Sequence, residues 1–219
     1  VLLLAGAAKG GTELMVAGNS PVKTIKDLKG KVVGVNQLGS TVDTMVRYNL
    51  LQAGLIPEKD VRIIPVEPAA QAEELERGQV AAVAAPAPWN AVVKAAGGRA
   101  ILDWKTILDD GNYHAGTFFA TRKFANANPE FIKKFLQVNQ EITDAINQDR
   151  KKYEPLIVQS WQKVSNKRLK PEVAKAAFET LNFTLEATPE ELQRFADVAF
   201  QTGALKKKAD LSGFVFQAP

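Results

Sequence analysis

Residues 32–54 read VVGVNQLGSTVDTMVRYNLLQAG, and this stretch decides the fold. Val32–Val35 is a short β-branched run, the pattern of a strand buried on both faces of a parallel sheet. Gln37-Leu38-Gly39-Ser40 is a tight loop. From Thr41 to Leu51 the apolar residues change to helical spacing, with Val42, Met45, Val46 and Leu50 on one side and Gly54 as the closing cap. Strand, tight loop and helix in this order form one half of a βαβ unit.

The unit repeats on the C-terminal side. Val61–Val66 and Val80–Ala85 read as strands. Ala69–Arg77 and Trp89–Ala96 read as helices, closed by Gly78 and Gly97-Gly98. Strands alternating with helices at this spacing imply right-handed crossovers and a parallel sheet, an α/β fold. On the N-terminal side, Val1–Ala5 and Glu13–Val16 are apolar strand-like runs separated by Lys9-Gly10-Gly11, a loop signal. Beyond Gly98, Ala100–Leu102 and Ala115–Thr121 read as further strands. Four helices are then expected: Pro129–Gln148 capped by Asn128, Tyr153–Val164, Pro171–Leu181 and Pro189–Thr202. The last begins with the capping signature Thr188-Pro189-Glu190-Glu191.

In an open parallel sheet, ligands bind beyond the carboxyl ends of the strands. Three loops stand there: Asn36–Thr41, Glu67–Ala70 and Pro86–Asn90. In the first, Gly39 lets backbone approach a ligand, with Gln37 beside it. Ser40 and Thr41 bring hydroxyls to a helix N-terminus, where free N–H groups and the helix dipole favour an anion. Ser40 or Thr41 acting only as the helix cap explains the same residues. The phosphate-loop spacing is missing, and Lys31 precedes the strand. The second loop carries Glu67 and Pro68. In the third, Pro88 and Trp89 offer an apolar wall, or Trp89 packs in the core. His114, just before a strand, is either a ligand contact or a structural residue. Glu73, Glu74 and Glu76 share an exposed helix and form no acid–base pair.

Composition narrows the chemistry. The chain has 219 residues, 46% hydrophobic and 24% charged, a normal globular mix. That length buries roughly 70% of the unfolded surface, enough for a core without staples. Cysteine is absent, which removes disulfides, thiolate nucleophiles and Cys-ligated metal centres. His114 is the single histidine, so multi-histidine metal sites are excluded and any Ser-His-Asp triad must use it. No catalytic residue, metal or cofactor is expected. The 28 Lys and Arg against 24 Asp and Glu leave +4, spread along the chain, which is no nucleic-acid patch. The apolar start is too short for a membrane span and lacks the basic flank of a signal peptide.

Taken in order, several segments resemble one family. Ser20–Val35 (SPVKTIKDLKGKVVGV) resembles the opening of the second lobe of type II periplasmic solute-binding proteins. Gly39-Ser40-Thr41 and Leu51-Gln52-Ala53-Gly54-Leu55 follow as they do in that family. Glu74–Ala82 (ELERGQVAA) resembles its A-L-x-x-G-x-V-D-A stretch, although Ala81 stands where Asp is usual. Pro86–Asn90 matches its cleft loop, and Asn128-Pro129-Glu130-Phe131 its N-P-E helix start. The resemblance covers residues 12–150 and is strongest to the nitrate, taurine, aliphatic-sulfonate and thiamine-pyrimidine-precursor subfamily of ABC-transporter binding proteins.

This resemblance implies a type II periplasmic-binding-protein fold: a parallel-sheet lobe with flanking helices, and a first lobe that is incomplete. Residues 1–18 would be the end of lobe one and a crossover, 19–150 lobe two, and 151–219 helices returning to lobe one. It implies a monomer that captures a small anionic solute, sulfonate-like or nitrate-like, and docks on a membrane permease. The location would be periplasmic or extracellular, with a lipoprotein anchor as one form. Gly39, Ser40 and Thr41 would hold the acidic group, with Pro88 and Trp89 lining the organic part. Two alternatives share the fold. One is a thiamine-pyrimidine binding or synthesis protein, whose enzymatic form uses a Cys-rich iron site that this chain lacks. The other is the effector domain of a transcription regulator, for which no helix-turn-helix is visible.

Overall fold

The structure, a computed structural model, describes residues 1–216. The chain opens with two strands that belong to different sheets, β1 (Leu2–Gly10) and β2 (Thr12–Val16). Gly10 and Gly11 have φ of 85° and 82°, which turns the chain between them within one residue. The loop expected at Lys9-Gly10-Gly11 is therefore a junction. Lys9 and Gly10 still pair as strand, opposite Asn182 and Leu181.

The alternating units come next: β3 (Val32–Val35), α1 (Thr41–Gln52), β4 (Arg62–Pro65), α2 (Gln71–Glu76), β5 (Ala82–Pro86), α3 (Trp89–Ala95) and β6 (Arg99–Leu102). With β2 they form a five-stranded sheet in the order β4-β3-β5-β2-β6. β3 runs parallel to β4 and β5, as the βαβ reading requires. β2 runs antiparallel to β5 and β6, so the sheet is mixed. The reason is the route. β2 enters straight from another sheet, with no crossover helix to bring it round parallel.

Both faces of this sheet are covered. Leu14 and Val16 of β2 join Val33 and Val35 under Val42, Met45, Val46 and Leu50 of α1. Met15, one residue out of phase, faces the opposite layer with Val83, Leu75 and Val93. Every residue of β2 is buried, so its sequence shows no polar alternation.

After β6 the chain returns to the first sheet. β7 (His114–Ala120) pairs antiparallel with β1, from Leu2 opposite Ala120 to Lys9 opposite His114. Then follow α4 (Arg122–Ala127), α5 (Pro129–Gln148), α6 (Arg150–Ser165), α7 (Pro171–Glu179), β8 (Leu181–Phe183) and α8 (Pro189–Gln201). This three-stranded sheet has the order β7-β1-β8. β6, ending at Leu102, is the last strand of the five-stranded sheet.

Three local expectations change. The helix expected to reach Leu181 stops at Glu179, and Leu181 starts β8 because the edge of β1 at Gly10 offers it a ladder. Tyr153–Val164 is the middle of a longer helix, begun at Arg150 by Asp149, whose side chain accepts from Lys152 N. Asn128 stands at the start of α5 but makes no side-chain cap there. Its Nδ2 donates back to Phe124 O at 2.9 Å, closing α4. The start of α8 is as expected: Glu191 N donates to Thr188 Oγ1 and Thr188 N to Glu191 Oε2, both at 3.2 Å.

Candidate functional site at the seam between the sheets

The loop before α1 is built around one buried carboxylate. Gly39, at φ 76°, donates its N–H to Asp43 Oδ2 at 2.7 Å. Asp43 is 2% exposed, and its other oxygen accepts from Arg47 Nε at 2.8 Å. Arg47 Nη2 continues the chain to Glu58 Oε1 at 2.7 Å. Ser40 Oγ accepts from Asp43 N at 3.3 Å and donates to Asn36 Oδ1 at 2.9 Å. The Ser40 hydroxyl is therefore committed to the cap. Thr41, the first helical residue, is exposed, and the N–H groups of Thr41 and Val42 have no carbonyl one turn back to accept them.

This helix start opens on a cavity of about 240 Å³ at the seam. Gly11, Thr12, Asn36, Thr41, Ala87 and His114 are among its walls. A second cavity, about 540 Å³ and largely apolar, adjoins it on the α8 side. The two share Thr41, Tyr113, His114 and Ala115. Hydrogen bonds hold the two sheet-to-sheet junctions side by side here. Tyr113 OH accepts from Thr12 N at 2.9 Å and donates to Thr12 O at 3.2 Å. Gly10 N donates to Tyr113 O at 3.0 Å, and Ala87 N to Gly11 O at 2.8 Å. Burial pushes the Tyr113 phenol up to about 12, against the opposing effect of its Thr12 bonds.

His114 lines both cavities with its side chain largely out of water. Neither ring nitrogen has a hydrogen-bond partner, and Nε2 lies 3.5 Å from Glu191 Oε2. Lys9, 3% exposed on β1, donates to Glu191 Oε1 at 2.5 Å and has Glu186 at 3.9 Å. Desolvation holds His114 below its ordinary value, so it is neutral near pH 7, although Glu191 pulls the other way. A neutral imidazole retains one N–H donor, and none of the described residues uses it.

The remaining sequence candidates scatter. Gln37 and Glu67 are exposed and outside these cavities. Pro88 lines a separate apolar cavity beside α6 and α7. Trp89 packs against the core cluster of Val83 and Val93, and its ring lies 5.9 Å from Trp161, edge to face. Its place is that of a packing tryptophan. Asn36 opens the first of the three loops read from sequence, while Thr12 and Gly11 were not singled out as site residues; the Gly10-Gly11 pair carried a local signal, and it read as a loop. Among the described residues, no group of three or more His, Asp or Glu is placed to hold a metal.

Residues 6–159 match the NMT1-like family. A protein of Escherichia coli (strain K12) described as an aliphatic sulfonates-binding protein is 32% identical over 139 residues, 63% of this chain and 41% of its own length. The chain thus spans less than half of that relative. The periplasmic aliphatic sulphonate binding protein from Escherichia coli superposes with a TM-score of 0.76 at 24% identity, covering 98% of this chain and 70% of that one. The alkanesulfonate-binding protein from Xanthomonas axonopodis pv. citri, bound to MOPS, gives 0.76 at 22%, covering 99% and 74%. A desulfurization enzyme gives 0.70 at 15%, covering 98% and 76%. These likenesses establish the fold, the α/β arrangement of type II periplasmic binding proteins.

Proposed function

The chain belongs to the NMT1-like family, and from that premise we propose that it captures a small organic anion at the seam between its sheets, as the solute-binding component of an ABC importer. The observation that carries this reading is one shared wall. The open first turn of α1, with Thr41, and the unpartnered imidazole of His114 line the same cavity.

The acidic head would take the free N–H groups of Thr41 and Val42, the Thr41 hydroxyl and the His114 N–H. Each would be a donor whose desolvation the anion offsets. Ser40 and Gly39 shape the loop. Pro88 would lie on the organic side, with Trp89 behind it. The two sheets would act as two lobes. An anion touching α1 on one and His114 on the other favours their closed arrangement, the form a membrane permease would recognise. The relatives named for sulfonates support a sulfonate ligand, and the one named periplasmic supports a periplasmic or extracellular location.

An enzyme reading comes from the desulfurization enzyme among the structural neighbours. This chain has no cysteine and so no thiolate nucleophile to offer it.

Calorimetric titration with ethanesulfonate, taurine, nitrate and a dicarboxylate tests the proposal. A sulfonate should bind, and Thr41→Val and His114→Ala should each weaken it about tenfold, the loss of one charge-assisted hydrogen bond. No heat from any of the four anions would overturn the reading.

A further inference from the structure

Four titratable groups meet beside the central cavity. Lys9 comes from β1, His114 from β7, Glu191 from α8 and Glu186 from the connection between β8 and α8. The Glu191 carboxylate is fixed from two sides. Lys9 donates to Oε1 at 2.5 Å, and Thr188 N donates to Oε2 at 3.2 Å. Oε2 then faces His114 Nε2 at 3.5 Å, just outside a hydrogen bond. We infer that Glu191 is a positioning residue that makes anion capture proton-linked: the site takes up a proton with its ligand, and His114 becomes an imidazolium held between the Glu191 carboxylate and the acidic head. The inference rests on the anion reading of the central cavity.

Charge balance is the first argument. At neutral pH the cluster sets one cation, Lys9, against two carboxylates, Glu191 and Glu186. The next charges on this side, Asp109 and Arg194, are paired with each other. Tyr113, next along the chain, keeps its proton in the bond to Thr12 O. From α1 the cavity receives Thr41, which carries no charge. Among the described residues, none of these elements brings an unshared cation to the ligand. An anion arriving alone would add a second uncompensated negative charge, and a proton on His114 cancels it.

Donor geometry is the second. Both ring nitrogens are without partners. A neutral imidazole has one donor and one acceptor, so between a carboxylate and an anionic head one nitrogen would meet an acceptor with an acceptor. The imidazolium has two donors and satisfies both sides, Nε2–H toward Glu191 Oε2 and Nδ1–H toward the ligand. The first bond then shortens toward the charge-assisted range of about 2.7–2.9 Å. In the free chain desolvation keeps the ring neutral near pH 7, so the proton arrives with the ligand charge. Its source is the buffer, because a sulfonate has none to give.

The test is calorimetry of the full chain with ethanesulfonate at pH 7.5 in phosphate and in Tris, two buffers of very different ionisation heat. The two apparent enthalpies should differ by the heat of about one proton taken up. Affinity should fall as the pH rises from 7, by up to about tenfold per unit. His114 is the single histidine, so its ring-proton NMR signal is unambiguous and should move to the imidazolium position on saturation. His114→Gln should make the heat independent of buffer. Glu191→Gln keeps the capping box at the start of α8, since Gln completes that motif as Glu does, and should bind with little proton uptake and a flat pH profile. Equal enthalpies in the two buffers, an uptake that survives His114→Gln, or one undiminished in Glu191→Gln would overturn the proton link while the anion reading stands. Absence of binding in both buffers would overturn both.

Discussion

Ser40 Oγ donates to Asn36 Oδ1 at 2.9 Å and accepts from Asp43 N at 3.3 Å, so the hydroxyl nearest the start of α1 has its one proton already committed. Thr41, one residue on, has its side chain at the cavity wall. These neighbours should separate on mutation. Ser40→Ala should lower unfolding stability by about 1 kcal/mol through the lost cap, with a small effect on anion affinity. Thr41→Val should do the reverse. Urea unfolding and calorimetry on both variants check the pair.

Asp43 is the buried post on which the loop stands. Its carboxylate accepts from Gly39 N and Arg47 Nε, and Arg47 keeps Glu58 as a second partner. Asp43→Ala leaves the Gly39 N–H unpaired and the Arg47 charge half-compensated. The expected loss is about 2–4 kcal/mol, seen as a lower urea midpoint with an unchanged slope.

Acid should weaken the protein through two groups at the seam. Desolvation lowers the His114 value, with Glu191, Lys9 and Glu186 as the charges facing it. The folded form therefore binds fewer protons than the unfolded one below about pH 6.5. Stability rises with pH through that window and is fully present above it. Burial alone would raise the Glu191 carboxyl, but the Lys9 bond and charge and the Thr188 N–H bring it below the usual 4.5. Its contribution is present above that value and fades as the pH falls further. Urea midpoints at pH 7.5 and 5.5 should differ in the native sequence, and His114→Gln should remove most of that difference. An equal difference in the variant would place the effect elsewhere.

Tyr113 joins the two junctions between the sheets. Tyr113→Phe removes the partner of the Thr12 N–H in a buried place and should cost about 1–3 kcal/mol. The raised phenol predicts an alkaline limit too. The folded form holds its proton beyond the ordinary value of 10 up to about 12, so stability falls as the pH rises through that range. An ultraviolet titration should show one tyrosine ionising late, and Tyr113→Phe should delete that step.

Gly11 tests the junction between the sheets. Gly11→Ala puts a methyl group on a residue at φ 82° and 2.6 Å from Leu181 Cδ2. Strain and overlap together should cost about 2 kcal/mol or more in urea unfolding. The variant should also change anion affinity, because Leu181 and Ala87 must shift.

Much of this was present in the order of residues. Val32–Val35 followed by Gly39-Ser40-Thr41 and a helix-period run determines a strand, a tight turn and a helix whatever surrounds them. These are decisions between neighbours: β-branching, a positive φ and a cap. The motif order from Ser20 to Pro129 likewise sufficed to identify the fold. Tertiary structure decided what depends on partners far away in sequence. β2 is antiparallel and β7 returns to β1 because of which sheet each strand reaches, and no local pattern encodes that choice. Leu181 became strand because Gly10 lay beside it. Ser40 gave way to Thr41 because the bond to Asn36 commits the Ser40 hydroxyl proton. Trp89 was taken by Trp161 and the core. His114 became a candidate donor because burial left its nitrogens without partners between Lys9 and Glu191, residues 182 positions apart. Propensity and capping act over a few residues and can be read in one dimension. Burial and unsatisfied polar groups are properties of an enclosed space, and only the packed chain encloses it.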